Sequence, residues 1–124
     1  MRIISYNVNG IRAAIKKGLI DWLRTDPADI ICLQEIKANR EDIDVESIES
    51  AGYRSYFFSA QKKGYSGVGI LTKLLPDNVA YGHSNEQSDF EGRLLRADFG
   101  RLPLINAYFL SGPSGSNRQA VQSH

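Results

Sequence analysis

The sequence predicts an α/β fold: a mixed β-sheet with flanking helices. Three observations carry this expectation. The run Ile30-Ile31-Cys32-Leu33 places four apolar residues in succession, as in a strand covered on both faces. Ahead of it, Ile11, Ala14, Ile15, Leu19, Trp22 and Leu23 fall on one face of a helix. Beyond Tyr53 come short strand-like segments with turn-rich links and no helical period between them.

The elements follow in order. Residues 2–8 are β-rich and end at Asn9-Gly10, a turn signal, after which one helix is expected to run until Pro27 stops it. Residues 28–34 form the second strand, so residues 2–35 make a βαβ unit with parallel strands. Asn7 and Glu35 then stand at corresponding carboxyl ends, where ligands bind in parallel α/β sheets. A second helical segment, 41–51, carries Ile43 and Ile48 on an acidic background and ends at Gly52. Strands are expected at 53–59, 67–72, 94–99 and 104–110, paired antiparallel because their links are short. Residues 111–124, SGPSGSNRQAVQSH, are small and polar and are expected to form an irregular tail.

The chain has 124 residues, enough for one domain with one small core, and its 42% apolar content is that of a soluble globular protein. Fifteen basic against fourteen acidic residues leave a net charge of +1, so a nucleic-acid partner must be met by a local basic face. No disulfide can form within the chain, because Cys32 is its only cysteine, and a reducing cytoplasm fits. No stretch approaches the ~18 apolar residues of a membrane span, and the start lacks the apolar core of a signal peptide, so a soluble, unexported protein is expected.

Four polar clusters stand at strand ends or turns: Asn7-Val8-Asn9-Gly10, Gln34-Glu35-Ile36-Lys37, Lys62-Lys63-Gly64-Tyr65-Ser66-Gly67 and Glu91-Gly92-Arg93. Together they suggest phosphate chemistry, since Mg²⁺ takes oxygen ligands and uses one or two protein carboxylates, leaving other positions to water and phosphate. Glu35 is either a solvated strand terminus or such a ligand. Asn7 is either a turn former or part of a site. The glycine-rich KKGYSGVG is either a tight hairpin or a loop whose lysines and tyrosine meet a nucleic-acid backbone. Tyr108 is either a packed strand aromatic or a site residue. His83 and His124 lack metal-type partners, which disfavours zinc, and neither a glycine-lysine phosphate loop nor a serine-nucleophile elbow occurs.

Taken in order, SYNVNGIRA, CLQEIK, KKGYSGVGILTK, EGRLLRADF and NAYFLSG resemble the exodeoxyribonuclease III family of apurinic/apyrimidinic endonucleases, from Met1 to about Gly112. The family lies within the exonuclease-endonuclease-phosphatase superfamily. The resemblance implies a four-layer α/β sandwich of which this chain is the amino-terminal half. It implies a DNA-repair nuclease that cuts duplex DNA 5′ to abasic sites and trims 3′ ends, using Mg²⁺, with Mn²⁺ able to stand in. By the same resemblance Glu35 is the metal-ligand glutamate, Asn7 supports the metal and nucleophile network, and Tyr108 contacts the scissile phosphate. Arg12, Lys17, Lys37, Gly64, Tyr65 and Arg93 fall on DNA-contacting positions.

The chain also departs from the family pattern. The family's Gly-Asp-x-Asn and terminal Ser-Asp-His motifs, which orient and deprotonate the water, do not occur in it, and Leu110 stands where proline is common. Half a sandwich is expected to expose an inner sheet face, leaving the chain weakly stable or dependent on a complementary half. Two other functions stay open: a non-catalytic DNA-binding or interaction module, and a phosphoesterase acting on a small phosphorylated substrate.

Overall fold

The computed structural model describes residues 1–59, 67–81, 94–110 and 117–123, with 108–110 and 117–123 given by backbone alone. Strand β1 (Ile3–Asn7) leads into helices α1 (Ile11–Lys16) and α2 (Leu19–Arg24), then strand β2 (Ile30–Gln34). A 3-10 turn (Arg40–Asp42) and helix α3 (Val45–Ser50) precede strands β3 (Arg54–Phe58), β4 (Val68–Thr72) and β5 (Asn78–Tyr81). Strands β6 (Leu94–Phe99), β7 (Leu102–Leu110) and β8 (Asn117–Ser123) complete the described chain.

The strands form two four-stranded sheets, ordered β1-β2-β4-β3 and β5-β6-β7-β8. The first is mixed, with β1 parallel to β2 and both β2 and β3 antiparallel to β4. The second is antiparallel throughout. The βαβ unit at the start is therefore present, and α/β architecture with a mixed sheet and flanking helices is what the chain adopts.

Strand alternation divides the core in two. Ile31, Leu33, Phe57 and Leu71 point to one side of the first sheet and pack with Ile11, Leu19, Leu23 and Ile48 from the helical layer. Ile30, Cys32, Val68 and Ile70 point to the other side and meet Leu95, Ala97 and Leu104 of the second sheet. Every residue of β2 and of β4 is buried, because both strands are central and covered on both faces. The inner face of the first sheet is thus covered by β6 and β7 of the same chain. This corrects the expectation that half a sandwich leaves that face open: the two β-layers pair within these residues.

Three other local differences have physical causes. The single helix expected before Pro27 is two, because Gly18 takes a left-handed φ of 109°, closing α1, and its carbonyl then accepts from Trp22 N at 3.0 Å to begin α2. The second helical segment starts late: Asp44 caps α3, accepting from Ser47 N at 3.2 Å and Ser47 Oγ at 2.7 Å, which holds its carboxyl below the ordinary range. Strands β5 and β8 were not expected. β5 has four residues, too few to show an alternation, and β8 lies within residues 111–124, expected to be an irregular tail, paired along β7 from Leu110↔Asn117 to Leu104↔Ser123.

Cys32 sits fully buried between the sheets, and burial pushes its thiol from an ordinary 9.0 up to about 12. A raised thiol pKa means that the folded chain holds the proton more tightly than the unfolded one. This contribution to stability is complete below pH 9 and is lost as pH rises toward 12. Urea unfolding at pH 8 and pH 10 checks it: Cys32→Ala should shrink the stability lost between the two by about 1 kcal/mol relative to the unsubstituted chain.

Candidate functional site

The site is built where β1 and β2 end side by side. Their parallel ladder closes at Asn7↔Gln34, and the two following loops remain laced together. Val8 N donates to Gln34 O at 3.1 Å, Gly10 N to Glu35 O at 2.8 Å and Ile11 N to Ile36 O at 2.9 Å. From the other side Ile36 N donates to Gly67 O at 3.1 Å. The Glu35-Ile36 segment is thereby gripped between the turn that starts α1 and Gly67, the residue just before β4.

Its backbone is unusual. Asn9, Glu35 and Lys37 all adopt positive φ, at 46°, 54° and 53°. Left-handed geometry is uncommon for residues with a side chain, and it clusters at functional sites when surrounding contacts impose it. Here those contacts are visible, because Ile36 is fully buried between two such residues and fixes the loop like a peg. As the pleat breaks at Glu35, its side chain turns out of the core and is left 15% exposed.

The side chains converge. Asn7 Nδ2 donates to Glu35 Oε2, while Asn7 Oδ1 accepts from Asn9 N at 2.9 Å. Lys37 Nζ donates to Asn9 Oδ1 at 2.6 Å and lies 3.9 Å from Glu35 Oε1. One carboxylate is therefore oriented by an amide and flanked by a cation whose own position is fixed by a second amide. Such a cluster presents a held oxygen donor for a hard cation, beside a positive charge suited to phosphate.

Of the residues expected at a site, Asn7, Glu35 and Lys37 are brought together. Lys17 makes no contact with these three that the structure records, but shares with Asn9, Tyr6 and Trp22 a cleft of about 520 Å³ between β1 and the helices. Arg12 is exposed on the first turn of α1. Tyr108 is on β7 of the second sheet, its backbone paired with Gln119. Gly64, Tyr65 and Arg93 lie outside the described residues. Asn9, read from sequence as turn chemistry, proves to be the link between Asn7 and Lys37. Its signal was the spacing of two asparagines, which lets one side chain accept from the backbone of the other.

Among the described residues no group of three or more His, Cys, Asp or Glu side chains stands ready to hold a metal. One carboxylate with an orienting amide fits a magnesium-type ion, which keeps most of its shell as water and substrate oxygen. It does not fit zinc, which wants a closed set of nitrogen and sulfur ligands. No helix among the described residues is long and apolar enough to cross a membrane.

Two packed β-sheets with helices on the outside and a carboxylate held at the carboxyl end of a central strand describe a class of phosphoesterase fold. The endonuclease/exonuclease/phosphatase family matches residues 4–123, and the chain belongs to that family, whose chemistry depends on divalent metal. A DNA repair nuclease from Danio rerio, APEX1, is 39% identical over 117 residues, covering 93% of this chain and 38% of the relative. An AP endonuclease from Archaeoglobus fulgidus superposes with a TM-score of 0.76 at 31% identity, over 89% of this chain and 41% of the other. A 3′ phosphatase from Neisseria, solved with a product DNA hairpin, superposes with a TM-score of 0.78 at 26% identity, over 90% and 42%. The chain thus spans about two fifths of the length of these relatives.

Gly67 is where the loop and the sheet meet most closely. Its φ is 105°, and a Cβ added there would come 2.8 Å from Ile36 Cγ1 and 3.3 Å from Phe58 O. Gly67→Ala should therefore destabilise the chain by about 1–3 kcal/mol in urea unfolding, through overpacking and an unfavourable φ.

Proposed function

We propose that this chain supplies the metal-binding carboxylate and part of the DNA-binding face of a Mg²⁺-dependent DNA-repair phosphodiesterase. Its reaction is hydrolysis 5′ to abasic sites and removal of nucleotides from 3′ ends of duplex DNA. The observation that carries this is the oriented Glu35 carboxylate, hydrogen-bonded by Asn7 and neighboured by Lys37. Relatives named as a DNA repair nuclease and an AP endonuclease, and a related phosphatase bound to product DNA, support the choice of DNA over a small phosphoester.

In this proposal Glu35 holds Mg²⁺, for which Mn²⁺ can substitute, and Asn7 keeps the carboxylate turned toward it. A bound cation would polarise the phosphate and offset charge developing on its oxygens. Lys37, steadied by Asn9, answers a phosphate oxygen beside Glu35. Arg12, Lys17 and Arg93 neutralise backbone phosphates along the duplex, Gly64 and Tyr65 lie against it, and Tyr108 donates a hydrogen bond to the scissile phosphate. A reducing, cytoplasmic setting accords with a single buried, unpaired cysteine.

A second reading, a non-catalytic DNA-binding module, is favoured by one observation. Among the described residues no group of three or more His, Cys, Asp or Glu side chains gathers around Glu35 to form a metal cluster.

An abasic duplex incubated with Mg²⁺ separates the two. Incision 5′ to the lesion, lowered about 10²-fold or more by Glu35→Gln, is the outcome for the enzyme, on the scale of losing one preorganised charge-stabilising group. Duplex binding that weakens with salt but yields no incision supports the module. Neither incision nor binding contradicts both.

A further inference from the structure

Between the two sheets, in a layer packed mainly with apolar side chains, lie two fully buried amides, Gln34 and Asn106. Gln34 Nε2 donates to Asn106 Oδ1 at 2.9 Å and also lies 3.1 Å from Ser5 Oγ and 3.3 Å from Cys32 O. Asn106 Nδ2 donates to Leu33 O at 2.9 Å and to Gly69 O at 2.7 Å. Leu33 and Gly69 face each other across the β2–β4 ladder. One amide on β7 thus ties the two central strands of the first sheet to the second sheet.

Packing alone does not call for this arrangement. Among the described residues the buried Gln34 Oε1 has no hydrogen-bond partner, a cost that aliphatic side chains of the same volume would avoid. Hydrophobic contacts between sheets are also non-directional and permit sliding, whereas the three amide contacts that cross from Asn106 to Gln34, Leu33 and Gly69 permit one register. The location shows what that register serves. Gln34 directly precedes Glu35, and its carbonyl accepts from Val8 N at 3.1 Å, beside Asn7. Asn106 lies two residues before Tyr108 on β7.

We infer that the Gln34–Asn106 pair is a positioning device for the metal-binding carboxylate: it locks the end of β2 against β7 and so fixes where Glu35 emerges. This rests on the reading of Glu35 as a metal ligand. Neither amide is a catalytic residue; each acts through the backbone it holds. Supporting groups behind a metal ligand characteristically set its affinity by 10–100-fold when removed.

The test uses the paired variant Gln34→Met/Asn106→Leu, which removes both amides together and keeps the volume apolar. Amide hydrogen exchange and Mn²⁺-induced NMR line broadening at Glu35 and its neighbours are measured on the whole chain. The expected result is a folded protein in which Gly10, Ile11 and Ile36 lose about tenfold more protection than Ile31 and Leu71, with Mn²⁺ affinity weakened about tenfold or more. If the paired variant fails to fold, Asn106→Ser, which keeps one donor, is compared in the same way. It should show the same local loss and a weaker Mn²⁺ response.

A variant whose protection falls uniformly or not at all, with Mn²⁺ affinity unaltered, overturns the positioning role while leaving the metal reading intact. An unsubstituted chain that shows no Mn²⁺ broadening around Glu35 overturns the metal reading, and this inference with it.

Discussion

The burial of β2 on both faces constrains everything around it. Helical side chains cover Ile31 and Leu33 on one side, and the second sheet covers Ile30 and Cys32 on the other. A strand so enclosed has no polar face along which to leave the core gradually. Polarity enters only at its last residue, Gln34, which remains buried and finds amide and carbonyl partners. One residue later the chain breaks the pleat, and Glu35 emerges in left-handed geometry with Ile36 driven back into the core behind it. The carboxylate is thus placed by the folding of two hydrophobic layers, and its surroundings leave it little freedom.

That placement explains how few side chains are needed to organise the site. Asn7 arrives opposite because β1 runs parallel to β2 in register, and Asn9 and Lys37 follow from the two turns that the backbone hydrogen bonds lace together. Orientation comes from amides, which carry no charge and so do not compete with a cation for the carboxylate. Among the described residues Lys37 is the cation of this cluster, so a divalent ion and a phosphate would meet a prepared oxygen donor beside one positive charge. The family match covers residues 4–123, and the chain spans about two fifths of the relatives' lengths.

Much of this architecture was legible in the residues. The apolar run of β2 and the βαβ unit followed from periodicity, and the strand-end position of Asn7 and Glu35 followed from the unit. The turn at Asn9-Gly10 was marked by its glycine, but the left-handed geometry of Glu35 and Lys37 was not, because no glycine stands at or between them. Nor was the division of the first helix at Gly18 legible, since the apolar spacing continues across it. The second sheet's cover over the first was hidden for another reason. Alternation shows that a strand has two faces but not which distant strand will meet them, so the contact of Gln34 with Asn106, 72 residues apart, could be known only from three dimensions. β8 was missed because its polar composition carries no apolar face, while its pairing with β7 is satisfied by backbone alone.

The central claim is that this strand-end carboxylate exists to hold a divalent ion. Anomalous diffraction from crystals of the chain soaked in Mn²⁺ tests it directly. An ordered peak about 2.1–2.3 Å from a Glu35 carboxylate oxygen, with Asn7 still turned toward the other, is the expected result. Ordered Mn²⁺ elsewhere on the molecule, with Glu35 bearing none and paired only with Asn7 and Lys37, would contradict it.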